Sequence, residues 1–494
     1  MPVPLLPRLR RLVAAASLAA ATLVVASPVR AQTLAELYEA ARTYDATYLA
    51  ARAQFNSAEY RVQQVEALNR GSAGLAGSAT AGQADLPRLG SGDNHAAGAT
   101  LSGRYPLFNK TNSVAAEQAR RSLAASQADL EAAEQDLIVR LSQAYFDVLA
   151  AYDTLTATRA NKAAITEQLA SAKRTFEVGT ATITDSRDAQ ARFDLASAQE
   201  IAAENLLRTR RIALDTLVGR TNVVPRQLAL PVNLPTVLPT DVEAWVAQAD
   251  AAQPAVRRAR VALEVARLEI DKARAGNLPT LDAVASAGVN NASGTIANLP
   301  GTSKNASVGV QFNWPLYTGG AVQSRIQEVL QLEERSLNEL EAARRSVSQA
   351  TRTAYLGVVS GNAEVRALEA AEASTQLALD AIRLGYRVGV RVTLDVLNAQ
   401  LAVLQTQREL AQSRYNVLLG TLRLRQAAGT LAPADLQAVS ALLTREVVPP
   451  AGQSAPSPTM PAPAVTPTTP APTPLPAPAP TVPATPAPAP ATPR

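Results

Sequence analysis

The sequence predicts a mainly helical chain that also carries membrane β-strands, a class in which long helices continue a β-barrel. Three features predict it: a duplication, two helices of unusual length, and paired segments of strand-like alternation. Arg104-Tyr105-Pro106-Leu107-Phe108 returns as Asn313-Trp314-Pro315-Leu316-Tyr317, and Ala144-Tyr145-Phe146 returns as Ala354-Tyr355-Leu356. Phe176-Glu177-Val178-Gly179, with Asp185 and Ala189-Gln190 beyond it, matches Tyr386-Arg387-Val388-Gly389 with Asp395 and Ala399-Gln400. The copies close on Gly219 and Gly429, at an offset of about 210 residues, so a large unit occurs twice and no short repeat forms a solenoid. The expected divisions are 32–219 and 241–429 for the copies, 220–240 between them, 430–448 after them, and a tail over 449–494.

Residues 1–31 read as a signal peptide. Arg8, Arg10 and Arg11 precede an apolar run of about 15 residues, too short for a span, and Val29-Arg30-Ala31 offers a cleavage site. No cysteine follows it to carry a lipid anchor. Removing its arginines takes the formal charge from +5 to about +1, so the basic balance implies no nucleic acid. The chain has no cysteine, hence no disulfide or thiolate site. The one histidine, His95, is expected in a solvated loop, without the partner that metal binding or catalysis requires. No cofactor is expected, and no nucleophile motif or phosphate loop suggests an enzyme.

The first helix is expected over 33–70, from Leu34, Leu37, Ala41, Tyr44 and Tyr48 at steps of three and four. Gly71-Ser72 stops it, and short strands at 73–81 and 97–107 flank a polar loop over 85–94. In the second copy Val308, Val310, Phe312, Trp314 and Leu316 alternate with Ser307, Gly309, Gln311 and Asn313. Their partner strand is 281–289, with a loop at 290–305. This fits strands with lipid on one side and a lumen on the other, and equally a soluble hairpin with one buried face.

Proline-free helices follow over 111–177 and 321–386, each about 100 Å long at 1.5 Å per residue. Leu123, Leu130 and Leu137 recur by seven, as do Leu340, Val347 and Ala354. From Leu394 to Leu422 the steps of three and four make a coiled-coil seam, broken only by Arg408. Helices over 184–219, 241–275 and 393–428 complete the set. End to end, 33–70 with 184–219 match one long helix, and 241–275 with 393–428 the other, giving four pillars. Segments 220–240 and 430–447 should form a small mixed domain, and the Pro/Ala/Thr tail should be extended.

Four strands cannot close a membrane barrel, because the smallest have eight. Pooling gives eight from two chains or twelve from three, and turns the pillars into a tube.

These residues resemble the TolC family of outer-membrane exit ducts. The resemblance rests on the duplication, the proline joints at Pro106 and Pro315, Gly385-Tyr386-Arg387-Val388-Gly389, Asp395-Val396-Leu397, Tyr415-Asn416 and Ile183-Thr184-Asp185. It implies a homotrimer with a twelve-stranded barrel, an α-helical barrel, an equatorial belt and a periplasmic end closed at rest. It also implies a periplasmic adaptor, an inner-membrane transporter of ABC or RND type, and contact with outer-membrane lipid. Asp185, Tyr386 and Arg391 match a clamp that holds the end shut. As chemistry, a carboxylate that accepts from a phenol and a guanidinium makes a breakable charge-assisted lock. Asp185 and Asp395 also suit helix caps. Asp395 matches a ring of acids at the constriction, where three carboxylates would attract cations. The second acid of that ring falls on Asn398, an amide, which weakens the expected cation block. The resemblance leaves open protein export or drug efflux. The alternative is a periplasmic adaptor protein, which would show one helical hairpin rather than two.

Overall fold

The computed structural model describes residues 32–443 apart from 87–89, 181, 230, 233 and 295–299. The expected signal peptide, residues 444–448 and the 449–494 tail lie outside the described residues. In chain order the elements are α1 (Leu34–Tyr44), α2 (Ala46–Ala67), β1 (Ser72–Leu86), β2 (Gly90–Phe108), α3 (Lys110–Glu177) and α4 (Ile183–Val218). The second copy supplies α5 (Val242–Ala252), α6 (Pro254–Ala275), β3 (Thr280–Ser293), β4 (Gly301–Asn313), α7 (Ala321–Arg387) and α8 (Thr393–Ala427), and α9 (Pro433–Ala441) follows.

The long helices α3 and α7 hold 68 and 67 residues. Each is flanked by two shorter ones: α2 and α4 pack along α3, and α6 and α8 along α7. The copies join where α3 packs on α6 and α8.

The helices expected over 33–70 and 241–275 are each broken once. Asp45 and Gln253 take extended backbone, with ψ of 115° and 126°. Each then caps the next helix: Asp45 Oδ2 accepts from Tyr48 N at 2.9 Å, and Gln253 Oε1 from Ala255 N. At Gln253 the reason is Pro254, which disfavours helix in the residue before it and suits the first helical position. Arg140 fixes the other break by an ion pair to Asp45 at 3.0 Å.

The glycines closing the copies belong to these breaks. Gly219 and Gly429 end α4 and α8 with φ of 70° and 72°. A Cβ on Gly219 would lie 2.4 Å from Tyr44 Cγ, and one on Gly429 2.4 Å from Gln253 Cα. Each composite pillar is thus a helix end butted against a helix break, and only a bare backbone fits.

The largest apolar core lies at mid-length, where Leu137, Leu141, Tyr145 and Phe146 of α3 meet Leu34 and Leu37 of α1, Leu418 and Leu422 of α8, and Leu436 of α9. The 220–240 segment is tied here by a Gln32–Pro225 bridge and by Ala229 N donating to Leu442 O at 3.1 Å. The repeated tyrosines explain themselves: Tyr145 Oη donates to Arg226 O at 3.0 Å, and Tyr355 Oη donates to Thr240 O. Each copy pins the same linker by the same phenol. Tyr415 stacks on Phe146 at 5.7 Å and donates to Asp153 Oδ2 at 2.7 Å, tying α8 to α3. Burial there pushes the Asp153 carboxyl up, against the bond from Tyr415.

Nearer the strands, Glu269 of α6 accepts from Gln118 of α3 at 2.8 Å, Arg325 of α7 at 2.8 Å and Lys272 at 3.0 Å. Burial alone would raise its carboxyl, but these three bonds outweigh it and hold the pKa at about 2. A depressed pKa contributes stability above the unfolded value of 4.5 and loses it as pH falls toward 2. Glu269→Gln is therefore expected to cost about 1–3 kcal/mol at neutral pH and progressively less in acid. Melting of both proteins at pH 7 and pH 3 checks this; a cost that does not shrink at pH 3 contradicts it.

Candidate functional site

The four strands form one antiparallel sheet in the order β1-β2-β3-β4, so the two hairpins are joined through β2 and β3. They are longer than expected. Residues 85–94 are not all loop, since Asp85 pairs with Ser91, and His95 sits in β2 opposite Ala81 rather than in a loop. In β3 and β4 pairing continues to Ala292 and Gly301.

The register sorts the side chains onto two faces. One carries Ser72, Ser78, Thr80, Thr100, Ser102, Ser286, Asn290, Ser303, Asn305, Ser307 and Gln311 among glycines and alanines, with Arg104, Pro106, Asp282 and Val284 at its helix end. The other carries Leu75, Leu101, Val289, Val308, Val310 and Phe312 among alanines, and becomes polar at the hairpin tips with Asp93, His95 and Lys304. This alternation fits a strand between lipid and a water-filled lumen. The outward side chains are exposed in the protomer, Val308 at 89%. Among the described residues no helix is long and apolar enough to cross a membrane.

The two prolines solve the strand–helix joint differently. Pro106 lies inside β2 opposite Asp282, at a register shift before Phe108, where β1 has already run out. A residue with no N–H is tolerated at such an irregular strand end. Pro315 lies just past β4, and beside it Trp314 Nε1 donates to Asn277 O at 3.2 Å. Asn109 then caps α3 through Asn112 N at 3.0 Å, whereas α7 starts from Gly320 at φ 86°.

At the other end, each long helix turns into its shorter partner by the same motif. Thr180 N donates to Thr175 O and Val390 N to Gly385 O, both at 2.9 Å, around Gly179 and Gly389 at φ of 78° and 83°. This is a helix C-terminus closed through a left-handed glycine. Open space surrounds both glycines, so φ alone demands them.

The expected site residues cluster at these turns. Asp185 is not itself the helix cap. Thr182 caps α4, and Asp185, three residues on, reaches back to Thr182 N at 3.0 Å and Thr182 Oγ1 at 2.8 Å. The Thr182 hydroxyl and amide hold the Asp185 carboxyl below the usual range. Asp395 occupies the same position on α8, accepting from Val392 N at 3.5 Å and facing Arg391 Nη1 at 3.6 Å. Asn398 lies one turn on from Asp395, exposed on the same side of the helix. Tyr386 is 47% exposed. Within the protomer no hydrogen bond or ion pair joins Asp185 to Tyr386 or Arg391; only Arg391 and Asp395 come together. One partner was missed, Thr182, legible in Thr182-Ile183-Thr184-Asp185 as a capping box, while Gly385 of the quoted glycine motif is where the Arg391 stem lies.

The arrangement is a wall, polar on one face of the sheet and continued by paired helices, with titratable groups at the far turns. The model of the outer membrane efflux protein family matches residues 37–220 and 245–430. The chain is 33% identical to outer membrane protein TolC of Vibrio cholerae over 421 residues, 84% of this chain and 95% of that protein. It is 35% identical to TolC of Escherichia coli over 324 residues, 64% of this chain and 65% of that one, so slightly under two thirds of that relative is spanned. To alkaline protease secretion protein AprF of Pseudomonas aeruginosa it is 34% identical, over 69% of this chain and 71% of that protein. The CmeC outer membrane channel of Campylobacter jejuni superposes with a TM-score of 0.68, covering 83% of this chain and 90% of that one, at 17% identity that speaks for the fold alone. The resemblance read from the residues is thereby borne out, and the chain belongs to the outer membrane efflux protein family.

Proposed function

We propose that three copies of this chain close into a duct, twelve strands in the outer membrane and a helical barrel reaching into the periplasm. The observation that carries this is the pair of flanks one copy leaves open. Inside the chain, α3 packs on the next repeat's α6 and α8. By the internal symmetry, α7 lacks a neighbour of this kind among the described residues, and so do α2 and α4 on their outer side. These flanks are apolar: Leu356 and Leu377 of α7 and Leu195, Ile201 and Ile212 of α4 are all exposed. The sheet is open in the same sense, at the β1 and β4 edges, whose unpaired backbone cannot stay so in lipid. Chemical cross-linking of the purified protein should give a ladder ending at three. A ladder that ends at two or four contradicts the trimer.

The duct serves an inner-membrane transporter of ABC or RND type through a periplasmic adaptor that meets the helix turns, and opens as those ends untwist. Asp185, Tyr386 and Arg391 form the clamp once the turns converge in the closed ring. Asp395 lines the constriction, with Asn398 a turn away. Secretion of a protein cargo is favoured by the likeness to AprF, named for alkaline protease secretion. The adaptor alternative finds no support: the TolC relatives are named outer membrane proteins, and the chain carries two helical hairpins with a four-stranded sheet. Asp395→Ala is expected to reduce cation selectivity and Asn398→Asp to raise it, each several-fold in permeability ratio. Reversal potentials in a salt gradient measure both, and an unchanged ratio in both variants would place the constriction elsewhere.

A further inference from the structure

We propose that Arg104 and Asp282 form a second determinant of ion preference, at the level where strands give way to helices and opposite in sign to the Asp395 ring. The inference rests on the duct reading above. Among the described strand residues, these two are the only charged side chains on the polar face. Every other polar group on that face is a neutral hydroxyl or amide, so any fixed charge in this part of the lumen comes from this pair.

The pair is asymmetric. Arg104 Nη2 and Asp282 Oδ2 are 2.6 Å apart, but the Arg104 side chain is 60% exposed and that of Asp282 only 4%. The carboxylate lies beneath the guanidinium, and its Oδ1 has no partner among the described residues, so Arg104 alone compensates it. An ion in the lumen therefore meets the cation first and the anion through protein. Although the pair is neutral in sum, it presents its positive end to the water. Asp282 lies opposite Pro106 in the ladder, one pair before the Phe108–Leu281 rung that ends β2 ahead of α3. Three copies in a trimer make a belt of guanidiniums there.

An exposed charge of this kind acts over about one Debye length, on the order of 10 Å at 0.1 M salt and 3 Å at 1 M. The effect is therefore strong in dilute salt and fades in concentrated salt, which a purely structural strut does not do. The narrow Asp395 ring in series dominates the wild-type preference, so the belt is best read with that ring removed.

The experiment is reversal potential in a KCl gradient with the full chain in planar bilayers, in wild type and in Asp395→Ala. Asp282→Asn removes the buried countercharge and leaves Arg104; the chloride-to-potassium permeability ratio is expected to rise about threefold near 0.1 M and to change little near 1 M. Arg104→Lys should keep the wild-type ratio. Arg104→Gln alone leaves a buried unpaired carboxylate and can fail to fold, so the neutral pair Arg104→Gln/Asp282→Asn is the companion, with an expected shift toward potassium. Gel mobility of the unheated trimer verifies assembly. Conductance with unchanged ratios in Asp282→Asn and the neutral pair at low salt overturns this inference and leaves the duct standing. Assembled trimers that do not conduct at all overturn the duct reading itself.

Discussion

Gly429→Ala is expected to destabilise the protein by about 2–5 kcal/mol. Two costs add. The residue sits at φ 72°, where a Cβ is strained, and that Cβ would stand 2.4 Å from Gln253 Cα and 2.5 Å from Gln253 N. Those are backbone atoms and cannot rotate aside, so the α8 end must part from the α5–α6 break it rests on. Gly389→Ala separates the two costs. It has the same sign of φ, 83°, but open space around it, and should lose only about 1–2 kcal/mol. Heat-induced trimer dissociation of both variants gives the comparison; equal losses would mean that the butted joint carries no packing strain.

Asp185→Ala combined with Arg391→Ser should raise single-channel conductance several-fold while leaving trimer stability nearly unchanged. The stability part follows from exposure, since Asp185 is solvent-exposed and the Arg391 side chain is 57% exposed. Exposed pairs contribute about 0–1 kcal/mol. The conductance part follows from position: both residues flank the glycine turns, and a lock at the end of a helix about 100 Å long holds the whole lever. Asp185 has a second task in Thr182, so Thr182→Ala is the control for loss of the helix start alone. If Thr182→Ala opens the channel as much as the double variant, the clamp assignment fails and the turn's local folding sets the resting state.

The duplication, the long helices and the four pillars were legible because each rests on a long, strongly patterned stretch. The breaks at Asp45 and Gln253 were not, because steps of three and four run on through them: Ala41, Tyr44 and Tyr48 keep one register although α1 ends at Tyr44. Gln253-Pro254 did carry a signal. The strand tips were misread for compositional reasons. Gly, Asp and Asn over 85–94 have low strand preference, yet the ladder continues there because the two strands are already aligned from below. The faces of the first hairpin were weakly legible, since Ala76 and Ala79 point to opposite sides with the same side chain. Only the register assigns them.

Of the site, the chemistry of the turns was legible and the contacts were not. Asp185 and Asp395 read as groups near helix starts, and both lie in the first turn of their helix. The clamp proposed between Asp185 and the second copy's turn would join segments about 200 residues apart on closure of the proposed ring, which no local spacing encodes. Arg104 and Asp282 were invisible for a similar reason: each looks like an isolated charge until the β2–β3 register sets them side by side.

Single-channel recording of the purified wild-type protein in a planar bilayer tests the central claim most directly. Assembled trimers are expected to show a small, cation-biased conductance, with the proposed clamp shut and Asp395 at the proposed constriction. Trimers that are folded and inserted yet pass no current would contradict it.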